Sequence, residues 1–152
     1  MISLVKLLDY ENEAVKSRFI LRYPEQKNNV DVLFKDMLRY LWMSEKHHKD
    51  CILNANDQTL KFRNVMHVEM RLIDEVWHDF ILMTRDYHEF CHHYFGHFIH
   101  HQVNQRDQLD EEASEINEEI FAEETERFFS YIYDNLGEET LIRWFRPHFE
   151  RT

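Results

Sequence analysis

The chain has 152 residues and carries 18 basic and 29 acidic side chains, for a formal net charge of -11. A chain of this length buries about 70% of the surface its unfolded form exposes, so one domain over 1–152 is expected without disulfide or metal staples. The charge excludes a phosphate-backbone reader, because counterion release needs a basic footprint; no window approaches the apolar length of a membrane span.

Two Gly and two Pro leave little material for hairpin turns, which favours an all-α fold of five to six helices. Twelve Phe, seven Tyr and three Trp predict an aromatic-rich core. The N-terminal segment has neither a basic region nor a long apolar run, so a cytoplasmic setting with Cys51 and Cys91 as free thiols is expected.

In chain order, Leu4, Leu7, Leu8, Val15 and Phe19 form a helical stripe interrupted at Glu11 and closed by Tyr23-Pro24, since a residue before proline avoids the α region. A second helix opens near Asp31 and carries Leu33, Phe34, Met37, Leu38, Leu41, Trp42, Cys51 and Ile52 at threes and fours. His47 and His48, beside Glu45, read as part of its solvated face, and His67 as a rim residue. Asn54-Ala55-Asn56-Asp57 is the expected loop.

Phe62, Val65, Met66, Ile73, Val76, Trp77, Phe80 and Ile81 then give the broad apolar face of a third helix. A fourth, short helix capped by Thr84 or Asp86 runs through Tyr87, Phe90, Cys91 and Tyr94 to Gly96, or else the third helix continues without a break. From Asp110 an acidic helix is predicted with Ile116, Ile120, Phe128 and Tyr131 facing inward and Asn135-Leu136-Gly137 as its stop. A last turn spans Glu138 to Phe145. Asp110 to Glu126 holds nine acidic residues and no basic one. Its bland reading is a solvated face, and the alternative is docking to a basic protein partner.

Chemistry concentrates between Asp74 and His101, where seven of the eleven histidines lie together with Cys91. Neutral imidazole and thiolate are the donors that a borderline-soft divalent ion prefers. His78 borders the core face of its helix. Asp74, four residues earlier on the same side, can accept a ring N–H and fix the tautomer, supporting the ligand without binding the ion itself. After Gly96, a folded-back turn can bring one of His97, His100 and His101 to Cys91. A ligand set of His78, Cys91 and His101 suits tetrahedral zinc, with the fourth position held by a side chain or by water. Against this stands the reading that these aromatic and histidine side chains are packing residues and Cys91 a small buried hydrophobe, the motif then serving as a core lock.

Asp74, Trp77, His78, Leu82, Tyr87, Cys91, Gly96 and His101 at this spacing resemble the glycine-rich domain-containing protein family, found in plants and in shorter bacterial chains. The resemblance covers Ile73 to His101. It implies that His78, Cys91 and His101 are motif positions and that the chain is a compact bacterial form. It supplies no activity. Plant members often carry a second His where this chain has Phe80, and the glycine-rich tract is missing, Gly96 and Gly137 being the only glycines.

Glu75-x-x-His78 and Glu89-x-x-His92 also match the paired motif of di-iron carboxylate bundles, with Glu69 and Glu123 as further carboxylates. Along one continuous helix the pairs would lie about 21 Å apart, so this alternative needs a sharp turn near Thr84. A metalloenzyme, hydrolytic with zinc or oxidative with two irons, is therefore one function class, and a non-metal interaction module is another. Cysteine catalysis is disfavoured because a reactive thiolate needs an electropositive setting. No phosphate loop, nucleophile elbow or His-Glu-x-x-His helix occurs. The oligomeric state is not readable.

Overall fold

The structure is a computed structural model that describes residues 1–102 and 118–149. Among the described residues there are seven α-helices and no strand: α1 (Leu4–Leu7), α2 (Glu13–Arg22), α3 (Val30–Leu53), α4 (Arg71–Leu82), α5 (Thr84–Phe95), α6 (Glu118–Leu136) and α7 (Glu138–Phe149). The fold is all-α. The described residues fall into two compact units, one of Met1–Trp42 with Val68–His100 and one of Met43–His67 with the chain from His101 onward.

In the first unit, the interruption expected at Glu11 is a full break between α1 and α2. Asn12 makes it: its side-chain oxygen accepts from the Val15 amide and caps α2, while its amide nitrogen donates to Tyr10 Oη and to Asp86, each at 3.1 Å. A cap of this kind satisfies an otherwise orphaned helix donor and is worth about 1 kcal/mol. Tyr10 sits among Phe34, Phe80, Phe90 and Tyr94 at ring separations of 4.8–6.1 Å. Leu7, Val15, Phe19, Met37, Leu38 and Val76 are also buried in this unit. Helix α2 packs on α4 and α4 on α5.

The α2–α4 contact carries a buried ionic clasp. Asp79 is buried and accepts from Arg18 Nε at 3.1 Å and Arg22 Nη2 at 2.9 Å. Arg18 and Arg22 stand one turn apart on α2, so both reach one carboxylate on the facing helix. The bonds to Asp79 outweigh burial and push the Arg22 pKa up.

The expected third helix does not begin at Phe62. Residues 61–67 are non-helical, a 3₁₀ turn spans Val68–Met70, and α4 follows. Phe62 is buried by tertiary stacking instead: its ring lies 4.0 Å from that of His47 and 5.6 Å from Phe128, within the second unit. Periodicity cannot separate a helical face from an extended segment whose aromatics find partners elsewhere. The break between α4 and α5 lies at Met83, where φ -86° and ψ 69° leave the helical region, and no side chain caps the start of α5. Gly96 closes α5 in the left-handed conformation at φ 78°, the position where glycine escapes the Cβ penalty.

The second unit is organised around His47. Far from being solvated, this side chain is buried, with Nε2 3.0 Å from the Leu60 carbonyl and Tyr131 edge-on at 5.3 Å. His67 stacks on Phe128 at 5.1 Å and meets Phe145 edge-on. Helices α6 and α7 pack together across Gly137, which turns the chain at φ 94°. Phe128 and Tyr131 face inward as expected, whereas Ile120 is exposed, as is Ile52 near the end of α3. The acidic segment from Asp110, including Ile116, lies outside the described residues up to 117. The last element is longer than the turn expected: α7 reaches Phe149 with a kink at Phe145 ahead of Pro147, a residue that cannot donate to the helix ladder.

Candidate metal centre

Helix α4 divides the motif by direction. Ile73, Val76, Trp77 and Phe80 are buried, and Asp74 and His78, one turn apart, share the half-exposed edge. His78 Nε2 stands 3.4 Å from Asp74 Oδ2, and its side chain remains 42% exposed. The inward face builds the support: Trp77 Nε1 donates to Tyr87 Oη at 3.1 Å, and Tyr87 Oη donates to the Ile99 carbonyl at 2.6 Å. All three groups are buried, so the bonds prevent the full cost of unsatisfied polar atoms.

This relay ties the segment after Gly96 to α4 and α5. His101 stands two residues beyond the tethered Ile99. Asp74 and His78, both half-buried, pair as candidate ligands within the first unit, and His101, the expected further ligand, opens the second unit's C-terminal segment. A tetrahedral ion with ligand bonds of about 2.1 Å holds its donor atoms about 3.4 Å apart, so the Asp74–His78 pair already has ligand spacing.

Cys91 is not in this group. It is fully buried on α5, beside Phe90 and Tyr87 in sequence, and is a thiol outside any disulfide. The helical phase explains the placement: Tyr87, Phe90 and Cys91 recur at three and four residues and form the buried face of α5. Asp74 stands beside His78 as its spacing predicts, with Oδ2 3.4 Å from Nε2. The signal for this was in the sequence, because an i, i+4 Asp–His pair can chelate as readily as it can hydrogen-bond.

The remaining histidines spread out. His88 and His92 are exposed one turn apart on α5 with ring centroids 4.3 Å apart, and His93, His97 and His100 are exposed as well. Among the described residues, Glu69, Glu89, His92 and Glu123 join no group of three ligands. No helix described is long and apolar enough to cross a membrane.

No curated protein and no solved structure matches the chain. Residues 12–120 match the UCP032817-like family. The match begins at the residue that caps α2 and runs through α3, both motif helices and His101. It covers well over half of the 152 residues, and the protein belongs to the UCP032817-like family.

Proposed function

We propose that the protein is a metal-binding helical protein whose ion, zinc in the first instance, is held by Asp74, His78 and His101. The observation that carries this reading is the pairing of His78 with Asp74 on the half-exposed edge of α4, Nε2 3.4 Å from Oδ2, and His101 enters the proposal as the third ligand from the sequence motif. Two histidines and a carboxylate form a donor set common to zinc and to non-haem iron(II), and three protein ligands leave a tetrahedral ion one position for water. Water bound there would become a hydroxide source near neutral pH, which makes a hydrolytic role the natural second step of the proposal. A cytoplasmic setting and the kinship with glycine-rich domain-containing proteins belong to the same proposal, supported by the thiol state of both cysteines and by the motif residues respectively.

Metal content of untagged protein, measured by elemental analysis together with Zn²⁺ titration, tests the reading. One equivalent of zinc is expected in the unaltered protein, with loss in His78→Ala and His101→Ala and retention in Cys91→Ala. Absence of stoichiometric metal from the unaltered protein would sink the proposal. Loss in Cys91→Ala with retention in Asp74→Asn would restore the sulfur-containing ligand set and remove Asp74 from it.

A further inference from the structure

The imidazole of His78 has two ring nitrogens, and the structure places a carboxylate near each. Nε2 faces Asp74 at 3.4 Å, and Nδ1 faces Glu75 Oε1 at 3.8 Å. A neutral ring carries one proton, so the two carboxylates compete to decide which nitrogen holds it. Only the unprotonated nitrogen can bind a metal ion.

Glu75 is held in place far more firmly than an isolated surface glutamate. Its other oxygen accepts from Arg22 Nη1 at 2.8 Å, and Arg22 Nη2 also donates to the Glu75 backbone carbonyl at 3.1 Å. Arg22 is anchored in turn, because its Nε and Nη2 both reach the buried Asp79 carboxylate, which Arg18 also clasps. The chain Asp79, Arg22, Glu75, His78 thus runs from a buried anchor to the rim of the candidate site. An arginine fork fixes orientation as well as charge, which leaves Glu75 Oε1 aimed at the ring.

We propose that Glu75 is the positioning residue of the site: clamped by Arg22, it accepts a hydrogen bond from Nδ1–H of His78 and so keeps the ring in the tautomer whose Nε2 is unprotonated toward the ion beside Asp74. The inference rests on the metal reading above and deepens it, since it moves the orienting role assigned to Asp74 by spacing onto Glu75. At 3.8 Å the Nδ1–Oε1 separation is an ion-pair distance longer than a hydrogen bond, and a small ring rotation as the ion seats closes it. Carboxylates that orient a metal-binding histidine in this way typically govern affinity ten- to a hundredfold.

Two measurements test this on the full chain. The first is independent of metal: ¹⁵N NMR of the His78 ring in metal-free protein, at a pH where imidazole is neutral, reads which nitrogen carries the proton. Glu75→Ala is expected to move the proton from Nδ1 toward Nε2; an unchanged tautomer overturns the proposal. The second is Zn²⁺ affinity by chelator competition. About a tenfold to hundredfold loss is expected in Glu75→Ala, with a smaller loss in Glu75→Gln, whose amide oxygen still accepts. A tautomer shift with unaltered affinity also overturns it. If the unaltered protein binds no zinc, the metal reading fails, and the NMR result alone decides whether Glu75 orients the ring. Far-UV circular dichroism on both variants separates these outcomes from loss of fold.

Discussion

The two units bury polar side chains by opposite means. The first neutralises charge with charge: Asp79 lies between Arg18 and Arg22, and Lys16 lies among Glu11, Glu13 and Asp31. Burial alone would lower the Lys16 pKa, but its bonds to Glu11 and Asp31 prevail and the pKa rises. The second unit places a neutral group at its centre. His47 is stacked on Phe62 and bonded to a backbone carbonyl, and burial pushes its pKa down. The lesson concerns what each arrangement tolerates. Ionic clasps in which the partners of the buried charge reach solvent keep their charge over a wide pH range, whereas a desolvated imidazole survives only while it stays unprotonated.

Core truncation should break the comparison most strongly. Phe80 and Phe128 are each fully buried or nearly so, one in each unit. Phe80→Ala and Phe128→Ala should each cost about 3–5 kcal/mol in chemical denaturation. Amide exchange read residue by residue then tells whether the units unfold together. Loss of protection confined to the mutated unit would show two cooperative blocks, and uniform loss would show one.

An intermediate effect is expected at Tyr87. Tyr87→Phe removes the donor to the Ile99 carbonyl and the acceptor of Trp77 Nε1, leaving buried groups unsatisfied at a cost of about 1–3 kcal/mol. Because the same bonds tether the segment leading to His101, the variant should also weaken zinc binding. Unfolding and Zn²⁺ titration on one preparation check both. Unchanged zinc affinity would mean that the tether does not govern His101.

The smallest effect is the pH response of the second unit. The folded pKa of His47 lies below its unfolded value of about 6.5, so the unfolded chain binds the proton first on acidification. The stability contribution is complete above that value and is lost as pH falls from it toward the folded pKa, levelling off below. Asp50 sits next to this window without overlapping it. Burial would raise its pKa, but hydrogen bonds from Lys46 and Tyr131 bring it down, so its contribution is lost only at much lower pH. Denaturation midpoints between pH 7 and 5 should therefore fall in the unaltered protein and fall less in His47→Gln. Equal slopes would remove His47 as the source.

Much of the layout was legible because helices repeat with a period the chain displays directly. The stripe from Phe34 to Leu41, the arrest of α5 at Gly96 and the stop before Gly137 all follow from spacing and backbone freedom. Reading failed where partners came from distant sequence. His47 beside His48 and Glu45 looks like a solvated face, since nothing local announces Phe62, Leu60 and Tyr131 around it. The clasp at Asp79 has a local trace in the sequence, since Arg18 and Arg22 are one turn apart and offer a forked partner to any acid on a facing helix.

The candidate site divides in the same way. The sequence by itself determined that Asp74 and His78 share a helix edge and that Trp77 turns inward, because both follow from 100° per residue. It also determined the all-α class, through the scarcity of glycine and proline and the periodic aromatics. Only the tertiary structure decided that Cys91 faces the core and that Glu75 is braced by Arg22. The physical reason is separation along the chain: the place of Ile99 depends on a hydrogen bond from Tyr87, and the aim of Glu75 on an arginine fifty-three residues away.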